Sequence, residues 1–140
     1  MMLDDKDLKI IEVLKEDSRL SIRNIAKRAN LRPSTVHIRI DKLKKKKIIE
    51  KFTLKLNNKA IGENFIAFIL INTSKDLDNH LIKNRHIKEI FGITGEYDLI
   101  LKMKFKDVEE FNNFIIKFRK EAFVTKTLTM VATTDLKEEI

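Results

Sequence analysis

Residues 18–51, SRLSIRNIAKRANLRPSTVHIRIDKLKKKKIIEK, constrain the fold of this chain more than any other segment. Two stretches with the helical apolar period flank Asn30 and Leu31. Ser21 is placed to cap the first, and Pro33 to open the second, where its missing N–H costs nothing. In the first, running to Ala29, the apolar face is Ile22, Ile25, Ala26 and Ala29, and the small alanines let another helix approach. In the second, Val36, Ile40 and Leu43 form one stripe, while Ser34, Thr35, Ile38, Lys42 and Lys45 point away from it. Upstream, a further helix is predicted from Asp4 to Glu16. Leu8, Ile11 and Leu14 lie on one face with Ile10 and Val13 alongside, and Asp4, Asp5 and Asp7 favour its N-terminus. Residues 1–50 are therefore expected to form a three-helix, helix-turn-helix domain.

Charge separates this head from the rest. Residues 1–51 hold fifteen Lys/Arg against eight Asp/Glu, net +7 of a total of +8. A positive charge confined to one end points to an anionic partner for that end, and the two-sided third helix fits a double-stranded DNA groove. Ser34, Thr35 and His37 lie in its first turns, within reach of base edges or phosphates, and Ile38 suits a thymine methyl. Arg39 and Lys42 are expected phosphate anchors, Arg39 alternatively bracing the fold. Arg32 precedes the helix and suits backbone or base, and Lys45 extends the exposed basic side. His37 is equally read as an ordinary surface histidine; the lesser alternative for Ile38 is a flank of the core. Lys44 to Lys47 serve either the negative end of the helix or nearby phosphates. Beyond them, Ile48, Ile49, Phe52, Leu54 and Leu56 suggest an extended stretch. It would be a small wing, making the head winged-helix-like, or a connector over 51–62.

The second module is predicted over 63–135, followed by a tail at 136–140. NFIAFILIN (64–72) reads as a largely buried strand. Residues 74–84 read as a helix capped by Thr73 or Ser74, and 86–94 and 97–105 as strands joined at Gly95 and Glu96. Residues 107–120 read as a helix capped by Asp107, with Glu110 completing a capping box. Val108, Phe111, Phe114, Ile115 and Phe118 form its apolar face. A last strand covers 123–133. The order β-α-β-β-α-β is ferredoxin-like, making the chain α+β. Such a sheet leaves one face open, yet its strands are apolar on much of both faces. A second copy of the chain is the natural cover, and a homodimer is expected.

Other functions find little support. Without cysteine there is no disulfide framework and no thiolate metal site. No apolar segment marks a leader or a membrane span, so the cytoplasm is the expected compartment. His37, His80 and His86 are far apart, and neither a phosphate-binding glycine loop nor a metal-ligand spacing occurs. An enzyme and a bound cofactor are therefore not expected. An RNA-recognition sheet would carry basic and aromatic residues on its third strand, which YDLILKMKF does not match. An architectural protein that coats DNA without sequence preference is the nearest alternative.

The organisation resembles the leucine-responsive and asparagine-synthetase regulator (Lrp/AsnC) family of small bacterial and archaeal transcription factors. Leu3-Asp4 with Ile10, Leu14, Asp17, Ser18 and Arg19 is similar to the family's opening helix. Ile25-Ala26, Leu31, Pro33-Ser34-Thr35-Val36, Arg39-Ile40, Leu43 and Ile48-Ile49 resemble its helix-turn-helix, and Leu56-Asn57 with Ile61-Gly62 its connector. Gly95, Tyr97 and Asp98 in TGEYDLI resemble the turn of its effector domain, and Thr127-Leu128-Thr129 with Val131 the closing strand. The resemblance implies dimers that assemble into tetramers, octamers or larger rings. It also implies an amino-acid effector near Thr94, Gly95, Glu96, Tyr97 and Asp98. There Asp98 would accept from an effector ammonium group; alternatively Gly95 and Asp98 only shape a hairpin, with Tyr97 packed at an interface. Two departures stand out. Arg32 occupies the usual small cap position, and Glu121-Ala122-Phe123-Val124 replaces the family's Pro-Gly. The second bears on higher assembly and on the effector pocket, leaving an effector-independent global regulator as an alternative.

Overall fold

Three helices make the first unit of the structure, a computed structural model that describes residues 2–140. Helix α1 (Asp5–Glu16) begins in a reciprocal cap. The Asp4 carboxylate accepts from the Asp7 N–H, and the Asp7 carboxylate from the Asp4 N–H. Ser21 caps α2 (Ile22–Ala29) by accepting from the Asn24 N–H, and Asn30 ends it in the left-handed region. Pro33 opens α3 (Pro33–Lys45). Ile10, Val13, Ile25, Ala26, Ala29 and Val36 form one core, ringed by Leu14, Leu20, Ile22, Leu31 and Ile40. Leu43 is fully buried. Leu8, expected on the apolar face of α1, is exposed. The buried line runs Asp7, Ile10, Val13 instead, because the capping carboxylate of Asp7 turns inward at the position an apolar residue would take.

No wing follows. Lys47 adopts a left-handed conformation, and the Ile48 and Ile49 N–H groups both donate to the Leu43 carbonyl, which closes α3. From residue 51 to 57 the backbone pairs with no strand among the described residues, and Phe52, Leu54 and Leu56 are exposed. The expected strand there is corrected to an unpaired connector. A run of apolar residues without a ladder partner forms no strand, because a strand cannot exist singly. The first unit ends at Leu54; the second covers Lys55–Ile140.

The second unit is ferredoxin-like. Strand β1 (Phe65–Thr73) is followed by α4 (Asn79–Ile82), β2 (Ile87–Gly92), β3 (Leu99–Phe105), α5 (Val108–Phe118) and β4 (Val124–Val131). The antiparallel sheet has the order β2-β3-β1-β4. Ala67, Ile69 and Ile71 of β1 and Leu101, Met103 and Phe105 of β3 face the helices. They pack there with Leu81, Phe111, Ile115 and Phe118. Phe105 is fully buried, worth about 2–3 kcal/mol by area alone.

The helix expected over 74–84 is a single turn. The Ser74 N–H donates to the Phe123 carbonyl, so the chain is still tied to β4 at that point, and Thr73 belongs to β1 rather than to a cap. Asp78 caps the turn instead, by accepting from the Leu81 N–H. Only Leu81 is buried there, too little apolar surface to hold a longer helix. In α5 the Asp107 cap is present, but Val108 is exposed and Glu110 accepts from the Lys106 N–H, one residue upstream of a reciprocal box. The tail also docks: Glu138 is largely buried between Lys102 and Lys104.

Candidate nucleic-acid interface

Helix α3 is held on one side and bare on the other. Val36 and Leu43 are fully buried, while Ile38 is 65% exposed. Ser34, His37, Lys42 and Lys45 are exposed with it, and Thr35 is half-buried at the edge. Residues 34, 38 and 42 are four apart, so Ser34, Ile38 and Lys42 form a single outward column. Ile38 is no flank of the core. Lys45 pairs with Asp41 at 3.1 Å, and that hydrogen bond holds Asp41 below the usual carboxylate range. Arg32 is exposed at the N-cap and makes no side-chain cap bond, so the first N–H groups of α3 lack a side-chain partner there.

Arg39 is the exception among the basic residues of α3. It turns back to α1, where its guanidinium donates to both Asp4 oxygens at 2.6 Å and to the Asp7 carboxylate at 3.1 Å. The hydrogen bond from Arg39 pulls Asp4 down to about 2, and the two carboxylates raise Arg39 in turn. The brace was one of the two roles open to Arg39 in the sequence. Its acceptors Asp4 and Asp7 were both missed, because acidic residues at a helix start are first read as dipole partners. Their three-residue spacing was the available signal.

At the hairpin joining β2 to β3, the Ile93 N–H donates to the Asp98 carbonyl, and Gly95 has φ +111°, where a side chain is strained. The Asp98 carboxylate accepts from the Thr73 N–H at 3.0 Å, and Asn72 donates to the Glu96 carbonyl. Lys126 pairs with the Glu96 carboxylate and lies 5.0 Å from the Tyr97 ring centroid. The five turn residues are thus brought together, and much of their polar capacity is used by neighbouring strands. Thr94, Gly95, Glu96 and Asp98 are exposed.

A second polar cluster escaped the sequence altogether. Buried Asn58 donates to Glu138 at 3.0 Å and accepts from the Lys104 ammonium at 2.6 Å. Lys102 joins Glu138 to Glu89. Burial alone would raise Glu138, but bonds from Lys102, Asn58 and Lys104 outweigh it and hold the carboxyl well below its usual range.

A basic, two-sided third helix on a three-helix head, in one chain with a ferredoxin-like unit that exposes a turn, defines a DNA-binding protein with a regulatory domain. The model of the AsnC-type helix-turn-helix domain matches residues 3–44, and that of the Lrp/AsnC ligand binding domain matches 66–140. The chain belongs to the Lrp/AsnC family and is a DNA-binding transcriptional regulator of that type. It is 39% identical to the HTH-type transcriptional regulator FL11 of Pyrococcus furiosus, over 93% of this chain and 89% of that one. A transcriptional regulator of Neisseria meningitidis, solved as an L-Met complex, superposes with TM-score 0.89 at 25% identity, covering 99% and 94% of the two chains. LrpC of B. subtilis superposes with TM-score 0.84 at 29% identity, covering 99% and 100%. Among the described residues, no helix is long and apolar enough to cross a membrane.

Proposed function

We propose that this regulator reads double-stranded DNA in the cytoplasm through the outward column of α3. Ser34, Thr35, His37 and Ile38 meet base edges, and Arg32, Lys42 and Lys45 meet phosphates. Arg39 drops out of the contact set, because its guanidinium is spent on Asp4 and Asp7. The carrying observation is the exposed Ser34–Ile38–Lys42 line opposite fully buried Val36 and Leu43. Footprinting on the DNA upstream of its own gene, beside random duplex at stated salt, tests it. Discrete protected segments phased near one helical turn support sequence-preferring regulation; uniform coating supports the architectural alternative.

The working form is a homodimer, joined through the open face of the sheet and assembling further to tetramers or octamers. Phe68, Leu70, Ile100 and Leu128 share that face through the strand register, and Phe91 and Met130 on it are exposed. Leu128→Asp should shift the assembly toward monomer in sedimentation.

The turn Thr94–Asp98 takes an amino-acid effector, with Gly95 admitting close backbone approach and Asp98 offering its remaining carboxylate oxygen to an ammonium group. One observation favours an effector-independent regulator instead: Asp98 and Glu96 already have partners in Thr73 and Lys126. Adding single amino acids, methionine first, to the footprinting assay separates the two readings.

A further inference from the structure

We propose that the second unit carries a further small-molecule site, a basic pocket at the opposite end of β3 from the Thr94–Asp98 turn. Its ligand class is a small dianion, either a dicarboxylate or a phosphate. Strand β3 separates the two places by roughly 20 Å, at about 3.3 Å per residue. The two are therefore different sites on one sheet, and the pocket does not depend on the effector assigned to the turn.

The pocket is a cavity of about 330 Å³, at the small end of the range for ligand sites. Four parts of the unit converge on it: the turn at Ile61–Glu63, the approach to β2, the end of β3 and the first turns of α5. Arg85, Lys88 and Lys106 bring three positive charges against the two carboxylates of Glu63 and Glu110, and Lys104 lines the pocket with its ammonium directed to Asn58 and Glu138. The internal pairing leaves cations over. Lys88 is matched by Glu63 at 2.8 Å. Glu110 accepts from the Lys106 backbone N–H at 3.2 Å and lies 3.5 Å from His86 Nδ1. The side chains of Arg85 and Lys106 form no ion pair among the described residues, and both are exposed at the mouth.

The wall behind them is fixed rather than loose. His86 Nδ1 lies 3.1 Å from the Lys104 carbonyl, as its N–H donor, which leaves Nε2 as the free ring nitrogen. The ring stacks on Phe105 at 4.7 Å and meets the edge of Phe114 at 6.0 Å. Gly62 stands at the rim with φ +74° and open space where a Cβ would point, so a ligand can approach the backbone there. Two unpaired cations against the one carboxylate without a Lys or Arg partner, Glu110, leave the mouth net positive, and a doubly charged anion gains more there than a monoanion.

Calorimetric titration of the full-length protein tests the site, with succinate and inorganic phosphate as separate probes and sodium chloride at matched ionic strength as control. Saturable one-site binding of either probe is expected, and the stronger probe names the ligand class. Arg85→Gln and Lys106→Gln should each raise Kd tenfold or more, and both residues are exposed, so folding is unaffected. Glu63→Gln releases Lys88 and should tighten binding several-fold, a gain that misfolding cannot mimic. Heats no larger than those of chloride, or dissociation constants unchanged in all three variants, would overturn the proposal. So would variants that weaken duplex DNA while leaving anion binding intact, since the patch would then belong to the DNA-binding surface.

Discussion

Replacing Arg39 by Met separates a brace from a phosphate anchor. The substitution keeps the apolar stem and removes the guanidinium. Asp7, whose side chain is 5% exposed, then retains only the Asp4 N–H as a partner. Breaking a buried pair from one side costs about 3–5 kcal/mol, because a charge is left buried without compensation. Arg39 is a quarter exposed and Asp7 keeps one hydrogen bond, so the expected loss is about 2 kcal/mol. Asp4 is solvent-screened and adds little. For a small domain this lowers Tm by roughly 10 °C or more. Urea unfolding followed by circular dichroism reads the stability. Asp7→Asn combined with Arg39→Met should recover much of the loss, since the orphaned charge disappears. DNA affinity against salt gives the second readout. A lost phosphate contact flattens the log–log slope by about 0.9, which is expected for Lys42→Gln and not for Arg39→Met. Unchanged stability together with a flattened slope in Arg39→Met would refute the brace.

Ser34→Ala should alter the ranking of duplex sequences, by about 1 kcal/mol at the affected base pair, whereas Lys42→Gln should weaken all duplexes alike; a binding panel distinguishes the two. Gly95→Ala should cost about 1–3 kcal/mol, because φ +111° strains any side chain, while Gly92→Ala, with ordinary backbone and open space, should change the melting temperature little. Acid should destabilise the protein in a defined window. Asp4 sits near 2 when folded against 3.8 ordinarily, so its small, solvent-screened contribution is full above about pH 4 and is lost as pH falls toward 2. Glu138 is likewise depressed and loses its contribution below its ordinary 4.5. Urea midpoints measured from pH 6 down to pH 2 should fall accordingly, and Arg39→Met should remove the part due to Asp4.

The head was legible because its signals are local. Ser21, Asn30 and Pro33 act on their own neighbours, and the stripe Val36–Ile40–Leu43 is a property of one helix. The β-α-β-β-α-β order was legible for the same reason, with Asp107 capping α5 and β-branched residues filling β4. What failed were places where an element depends on distant support. Residues 74–84 have a helical period, yet the Ser74 N–H is claimed by Phe123 and only one turn forms. The apolar run after α3 was open to a wing or a connector, and among the described residues it pairs with no strand. Leu8 and Val108 matched their helices' periodicity but lie where no neighbouring element covers them.

By itself, the sequence determined the helix-turn-helix, the order of strands and helices, the confinement of charge to the head and the residues facing outward on α3. Each follows from side-chain spacing within one element, and spacing is fixed by the chain. Only tertiary structure decided that Arg39 belongs to Asp4 and Asp7, that Asn58 and Glu138 meet over Lys104, and that His86 walls a pocket with Arg85 and Lys106. Those groups lie up to 80 positions apart, and their pairing depends on which charges desolvation brings together.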